Sequence, residues 1–193
     1  MAASRRNVFA VLALLTIMGC QPSDPATRGP SQPVAQAAPL PTVPTEREPD
    51  GMPKRYSVVP YGYNYTDTYI DSFEVNGAGG GNLEVSIPTA GGGKNACCLT
   101  LVSGLPLDTE FKIKWTRDRT RWCEQTVRLT KPVPTEPRYF EVHFYLDGHV
   151  EVEATQEASA PRLALDRHSR GERHATGNIN NDEKFARCKD GRR

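Results

Sequence analysis

The chain has 193 residues, with 24 Lys and Arg against 23 Asp and Glu. A balance this even provides no basic field for a phosphate backbone, so nucleic acid is not an expected partner. Only about a hundred residues carry strand-like patterning, enough for one domain with its own core.

Residues 1–19 place Arg5 and Arg6 ahead of the apolar run Val8 to Met18, which is too short to span a bilayer. That is the pattern of a secretory signal peptide. Its end, Ile17-Met18-Gly19-Cys20, resembles the bacterial lipobox, in which cleavage precedes a lipidated cysteine. Small Gly19 directly before Cys20 favours lipidation at Cys20 over a chance cysteine. Gln21 stands where an Asp would resemble an inner-membrane retention signal, so the expected location is the outer membrane, facing the periplasm. Two or more acyl chains suffice for stable anchoring, at about 0.8 kcal/mol per buried methylene.

Residues 20–55 are rich in Pro, Ala, Thr and Gln and show no hydrophobic period. Such a stretch cannot bury enough surface to offset its ordering entropy. It reads as a tether, extended at about 3.1 Å per residue where Pro-rich.

From Tyr56 the strand candidates follow one another: Ser57–Asn64, Ser72–Asn76, Asn82–Ile87, Ala96–Val102, Glu110–Thr116, Arg121–Thr130, Arg138–Leu146 and His149–Ala154. Short strands between Gly- and Asn-containing turns predict an all-β, small β-sandwich-like domain over residues 56–156. Pleat parity sets one hairpin. A two-residue Asp147-Gly148 loop would put Val142 and Phe144 on the face of Glu151 and Glu153. A three-residue loop, Leu146-Asp147-Gly148 with Gly148 left-handed, instead pairs Phe144 with Val150 and Val142 with Val152 on the buried side. Tyr145, His143, His149 and Glu151 then lie outside.

With Cys20 lipidated, Cys97, Cys98, Cys123 and Cys188 remain, an even number that reads as two disulfides in an exported chain. Zinc-type CxxC spacing is absent. Parity puts Cys97 with Leu99 and Leu101, and Cys123 with Val127 and Leu129. The expected pairs are therefore Cys97–Cys123 and Cys98–Cys188, with a bond between adjacent Cys97 and Cys98 least favoured. Residues 157–193 form a basic tail. From Arg162 onward it holds nine basic and five acidic residues, most simply a solvated surface. Asn181, Asp182, Glu183 and Gly191 bound a short helix carrying Phe185 and Cys188 on one face, so the tail is expected to be partly helical and pinned by a disulfide.

The runs Gly79-Gly80-Gly81-Asn82 and Gly91-Gly92-Gly93-Lys94 resemble phosphate cradles, but no Gly-Lys-Ser/Thr opens a helix, and a turn or bulge is the better reading. Glu141, His143, His149 and Glu151 converge on one face of the last hairpin. A His/Glu metal site is weighed there against a charged outer face, and the charged face is preferred. Asp67, Asp71 and Glu74 lie near one turn without an acid–base pairing. There is no Gly-x-Ser-x-Gly and no His-Glu-x-x-His, so neither catalytic residues nor a metal or cofactor are expected. Tyr61, Tyr63 and Tyr65 share one face, either in the core or as a binding surface.

Tyr63-Asn64-Tyr65-Thr66-Asp67, Tyr69-Ile70, Val75-Asn76-Gly77, Gly80-Gly81-Asn82 and Cys97-Cys98, in this order, resemble a bacterial family of small lipoproteins built on a domain of unknown function. The resemblance covers about Tyr61 to Trp115. Members look like immunity proteins of type VI secretion phospholipase effectors. The resemblance implies a non-enzymatic guard that binds a lipase effector and occludes its active site. The alternative is a structural or adaptor envelope lipoprotein with no toxin partner. Contacts are expected from the tyrosine face (Tyr61, Tyr63, Tyr65) or from the loop residues Asn82, Lys94 and Asn95.

Overall fold

Alternation is plainest at the start of the first strand, where Tyr56, Val58 and Pro60 are buried while Arg55 and Ser57 face solvent. One half-buried pleated surface accounts for that pattern. The structure is a computed structural model that describes residues 45–87, 96–163 and 180–191. Its strands are β1 (Arg55–Asn64), β2 (Ile70–Val75), β3 (Ala78–Leu83), β4 (Leu99–Val102), β5 (Glu110–Thr116), β6 (Arg121–Arg128), β7 (Tyr139–Phe144), β8 (Val150–Thr155) and β9 (Arg187–Asp190). They form two sheets, ordered β4-β1-β7-β8 and β3-β2-β5-β6-β9. All pairings are antiparallel except β1 with β7, which run parallel in register from Val59↔Tyr139 to Asn64↔Phe144. The all-β, sandwich-like expectation holds.

The core lies between the sheets. Val58, Phe140, Val142, Phe144 and Val152 face it from one side, and Phe73, Val75, Phe111, Ile113 and Trp115 from the other. Aromatic rings bridge the layers: Phe111–Phe140 at 4.6 Å, Trp115–Phe144 at 5.4 Å and Phe73–Phe144 at 5.9 Å between centroids. The two Phe144 contacts are edge-to-face, the arrangement favoured by ring quadrupoles. Each such side chain contributes about 1.5–3 kcal/mol by leaving water.

The β7–β8 hairpin has the register that parity required. Phe144 opposes Val150, Val142 opposes Val152 and His143 opposes Glu151. Gly148 takes φ +94° and the Tyr145 N–H donates to the His149 carbonyl at 3.1 Å. At the β2–β3 turn, Asn76 and Gly77 both have positive φ, 49° and 86°, with Val75 opposite Ala78. That is a two-residue turn whose twist matches the flanking strands.

Other expectations change. The first glycine run lies inside β3, so the strand sits four residues earlier than the expected start at Asn82. Its pairing with β2 carries register shifts around Phe73. The Phe73 ring covers Gly80, where a Cβ would come within 1.9 Å of it. A ring from the neighbouring strand thus supplies the packing that the glycines lack.

The chain also joins the domain ahead of residue 56. Glu46 accepts hydrogen bonds from Tyr56 Oη (2.7 Å) and Lys54 Nζ (3.1 Å). The Ser103 N–H donates to the Lys54 carbonyl at 2.8 Å.

Both expected disulfide pairs are corrected. Cys123 bonds Cys188, with Cα atoms 4.0 Å apart, and Cys97 bonds its neighbour Cys98. The parity argument placed Cys97 on a pleat, but β4 begins at Leu99 and both cysteines precede it, exposed. Cys188 lies not on a helix but in β9, directly opposite Cys123 of β6. The helical element is reduced to one 3₁₀ turn at Asp182–Lys184, and Phe185 is exposed. A disulfide does pin the tail, as expected. Cys20, Lys94, Asn95 and Gly91 to Gly93 lie outside the described residues.

Candidate functional site

The outward face of the first sheet holds most of the ionisable side chains weighed from sequence. β1 presents Tyr61 and Tyr63 there, followed by Tyr65. β7 adds Glu141 and His143, followed by Tyr145, and β8 adds Glu151 and Glu153. Register makes them neighbours, with Tyr63 beside His143, His143 beside Glu151 and Glu141 beside Glu153. A row this polar would ordinarily be solvated. Here Ser159 to Arg162 fold back across it as a strap.

The strap is held by named bonds. Ser159 N–H donates to Glu141 Oε1 at 2.7 Å, and Tyr63 Oη donates to the Ser159 carbonyl at 2.5 Å. Arg162 N–H donates to Tyr65 Oη at 2.8 Å. The Arg162 guanidinium donates to Tyr145 Oη (2.9 Å) and to the carboxylates of Glu151 and Glu153. Lys131 Nζ approaches Glu153 from the other side at 2.7 Å. The His143 ring stacks on Tyr63 with centroids 4.5 Å apart and planes 7° from parallel, and its Nδ1 lies 3.2 Å from Tyr65 Oη.

Under the strap, Glu141 and His143 are fully buried and Glu153 is 2% exposed. Burial alone would raise both carboxyls. The His143 ring beside it and the hydrogen bond from Ser159 outweigh it at Glu141, and Lys131 and Arg162 do so at Glu153, so both sit below the ordinary carboxylate range. Burial pushes His143 below the ordinary imidazole range, against the pull of Glu141. It also pushes the Tyr65 phenol up to about 12 and the Tyr63 phenol further. None of these phenols ionises near neutral pH.

These placements revise the sequence reading. Tyr63 and Tyr65 belong neither to the core between the sheets nor to an open surface, since the chain's own strap covers them. They are unavailable to a partner in this conformation. Tyr61 is half-buried and packs edge-on against Tyr139 at 6.0 Å. His149 lies at the edge of the cluster, away from Glu141 and His143, 2.5 Å from Asp147, 3.8 Å from Glu151 and stacked on Tyr145 at 4.2 Å. Glu153 and Arg162 were missed. Parity already put Glu153 opposite Glu141, whereas Arg162 stands in a stretch with no period.

A second feature lies on the other sheet. Tyr69, Asp71, Ser72, Gly81, Asn82, Arg119 and Trp122 line an open cleft of about 690 Å³. Asn82 Nδ2 donates to Tyr69 Oη at 2.6 Å, and Arg119 pairs with Asp71 at the rim. Asn82 is the expected contact residue that this cleft retains. Nearby, Arg117 grips Asp182 through Nε (2.7 Å) and Nη2 (2.8 Å) while donating to the Thr68 carbonyl at 2.6 Å, which ties the 3₁₀ turn to the sandwich.

Fold and sites together define a two-sheet β domain with a disulfide-fastened last strand and a strap sealed over an ionisable cluster. Residues 63–152 match the model of the family described as protein of unknown function (DUF3304), a match that runs from the end of β1 into β8. Glu141 and His143 fall within it, while Glu153, the strap and β9 fall beyond it. No curated protein and no solved structure matches the chain. No helix among the described residues is long and apolar enough to cross a membrane.

Proposed function

We propose that this is a periplasm-facing lipoprotein that binds a type VI secretion phospholipase effector and inhibits it by occlusion, without bond-making chemistry of its own. One observation supports it most. Tyr69 and Asn82, from two separate motifs of the family resemblance, meet in the open cleft beside Trp122 and Arg119. Tryptophan, tyrosine and arginine are the residue types that dominate interface energetics. The lipobox ending at Cys20 and the Pro-rich tether would hold such an inhibitor at the membrane a lipase attacks.

The test uses the mature protein and the lipase encoded beside its gene. Micromolar or tighter binding with loss of phospholipid hydrolysis is expected. Trp122→Ala or Arg119→Ala should weaken binding at least tenfold, about 1.4 kcal/mol each. Absence of binding at micromolar concentration would sink the proposal. With no lipase or secretion gene nearby, a structural or adaptor lipoprotein becomes the better account.

A further inference from the structure

We propose that Glu141, His143 and Glu153 form a buried binding site for a divalent transition-metal ion of the Zn²⁺ type. The inference stands apart from the inhibitory reading, because it uses the face beneath the strap and not the open cleft.

Geometry comes first. One donor atom from each residue lies within 4.8 Å of the other two. His143 Nε2 is 3.4 Å from Glu141 Oε2 and 3.7 Å from Glu153 Oε1. Bonds of roughly 2.0–2.1 Å in a tetrahedral zinc site put ligand atoms about 3.3 Å apart. The two separations from His143 are close to that spacing, and the third lies within 4.8 Å.

Hydrogen bonding points the same way. Glu141 Oε1 accepts from Ser159 N–H (2.7 Å) and Thr155 Oγ1 (3.1 Å), with Tyr63 Oη at 3.4 Å. Its other oxygen, Oε2, is buried without a hydrogen-bond partner, and so is His143 Nε2. These two atoms face each other and Glu153. A carboxylate saturated on one oxygen and without a hydrogen bond on the other, beside a ring nitrogen in the same state, offers two buried lone pairs to an ion. The outer shell is also in place, with Tyr65 against His143 Nδ1, the strap on Glu141, and Arg162 with Lys131 on Glu153. Such partners orient metal ligands and fix the imidazole tautomer.

Glu141 and Glu153 are the buried carboxylates of the set, and Arg162 and Lys131 pair with Glu153 and not with Glu141. A cation between the three donors supplies a positive partner for Glu141. One imidazole and two carboxylates suit zinc and its neighbours better than magnesium or calcium. The Tyr63 ring and the strap enclose the three donors, and a water molecule or the second oxygen of a carboxylate completes a tetrahedral shell that ties β7 to β8.

The experiment uses the mature protein stripped with EDTA and dialysed, then titrated with Zn²⁺ by calorimetry and, in parallel, with Co²⁺ by visible absorption. Expected are one ion per chain, tetrahedral cobalt bands, and a urea midpoint that rises with free Zn²⁺ once the site saturates. Glu141→Gln and His143→Gln should weaken binding at least a hundredfold, and His149→Gln should leave it unchanged. The proposal is overturned by a folded, stripped wild type that takes up no Zn²⁺, or by variants that bind as wild type does. A nitrogen NMR signal showing His143 Nε2 protonated in the presence of Zn²⁺ overturns it too, since a proton then occupies the ion's place. If the two glutamine variants do not fold, the wild-type titration and that signal decide.

Discussion

Replacing Arg162 by Met tests whether the strap is held by electrostatics. The longer apolar part of the side chain survives in Met, so the change removes the guanidinium and little packing. Glu153, 3% exposed at its side chain, is left with Lys131 alone, and Glu151 and Tyr145 each lose a partner. Removing one member of a fully buried ion pair costs about 3–5 kcal/mol. The Arg162 side chain is 25% exposed and Lys131 remains, which brings the expected loss to about 2–3 kcal/mol. For a domain of roughly 100 residues that corresponds to a fall in Tm of about 8–15 °C. Urea titration followed by tryptophan fluorescence reads it. Arg119→Met is the control, because Arg119 is 77% exposed and its pair with Asp71 should be worth no more than about 0.5 kcal/mol. Equal, small effects from the two substitutions would refute the account of the strap.

The Cys123–Cys188 bond spans a sequence separation of 65, for which chain entropy gives about 4 kcal/mol of stabilisation. The double variant C123A/C188A should lose most of that in urea, and a loss below about 1 kcal/mol contradicts it. Asp118 accepts hydrogen bonds from the N–H groups of Thr120 (2.8 Å) and Arg121 (2.9 Å) in the β5–β6 turn. Those bonds, that of Arg121 foremost, hold its carboxyl at about 2, below its unfolded value near 4. A depressed carboxyl stabilises above its unfolded pKa, and that contribution fades as pH falls from about 4 to about 2. Asp118→Asn should therefore differ from wild type at pH 6 and converge with it near pH 2. An unchanging difference across that range refutes the assignment.

Strand alternation, the β7–β8 register and the sandwich class were all legible from residues alone, because the pleat has a period of two and acts over neighbours. The same logic put Glu141, His143, His149 and Glu151 on one face of the last hairpin, and Tyr61, Tyr63 and Tyr65 on one face of their strand, but the parallel pairing of β1 with β7 that brings the two groups together has no local signature. Parity offered no sign that Ser159 and Arg162 would return to cover that face, since Ala158 to Leu163 has no period and its arginine reads as solvated. The cysteines divide the same way. An even count announced two bonds, but their partners followed from β9 adding to β6 and from β4 beginning three residues late. Local sterics determined which way each side chain points. Packing between segments distant in sequence decided what covers it, and therefore whether a glutamate and a histidine meet water or each other.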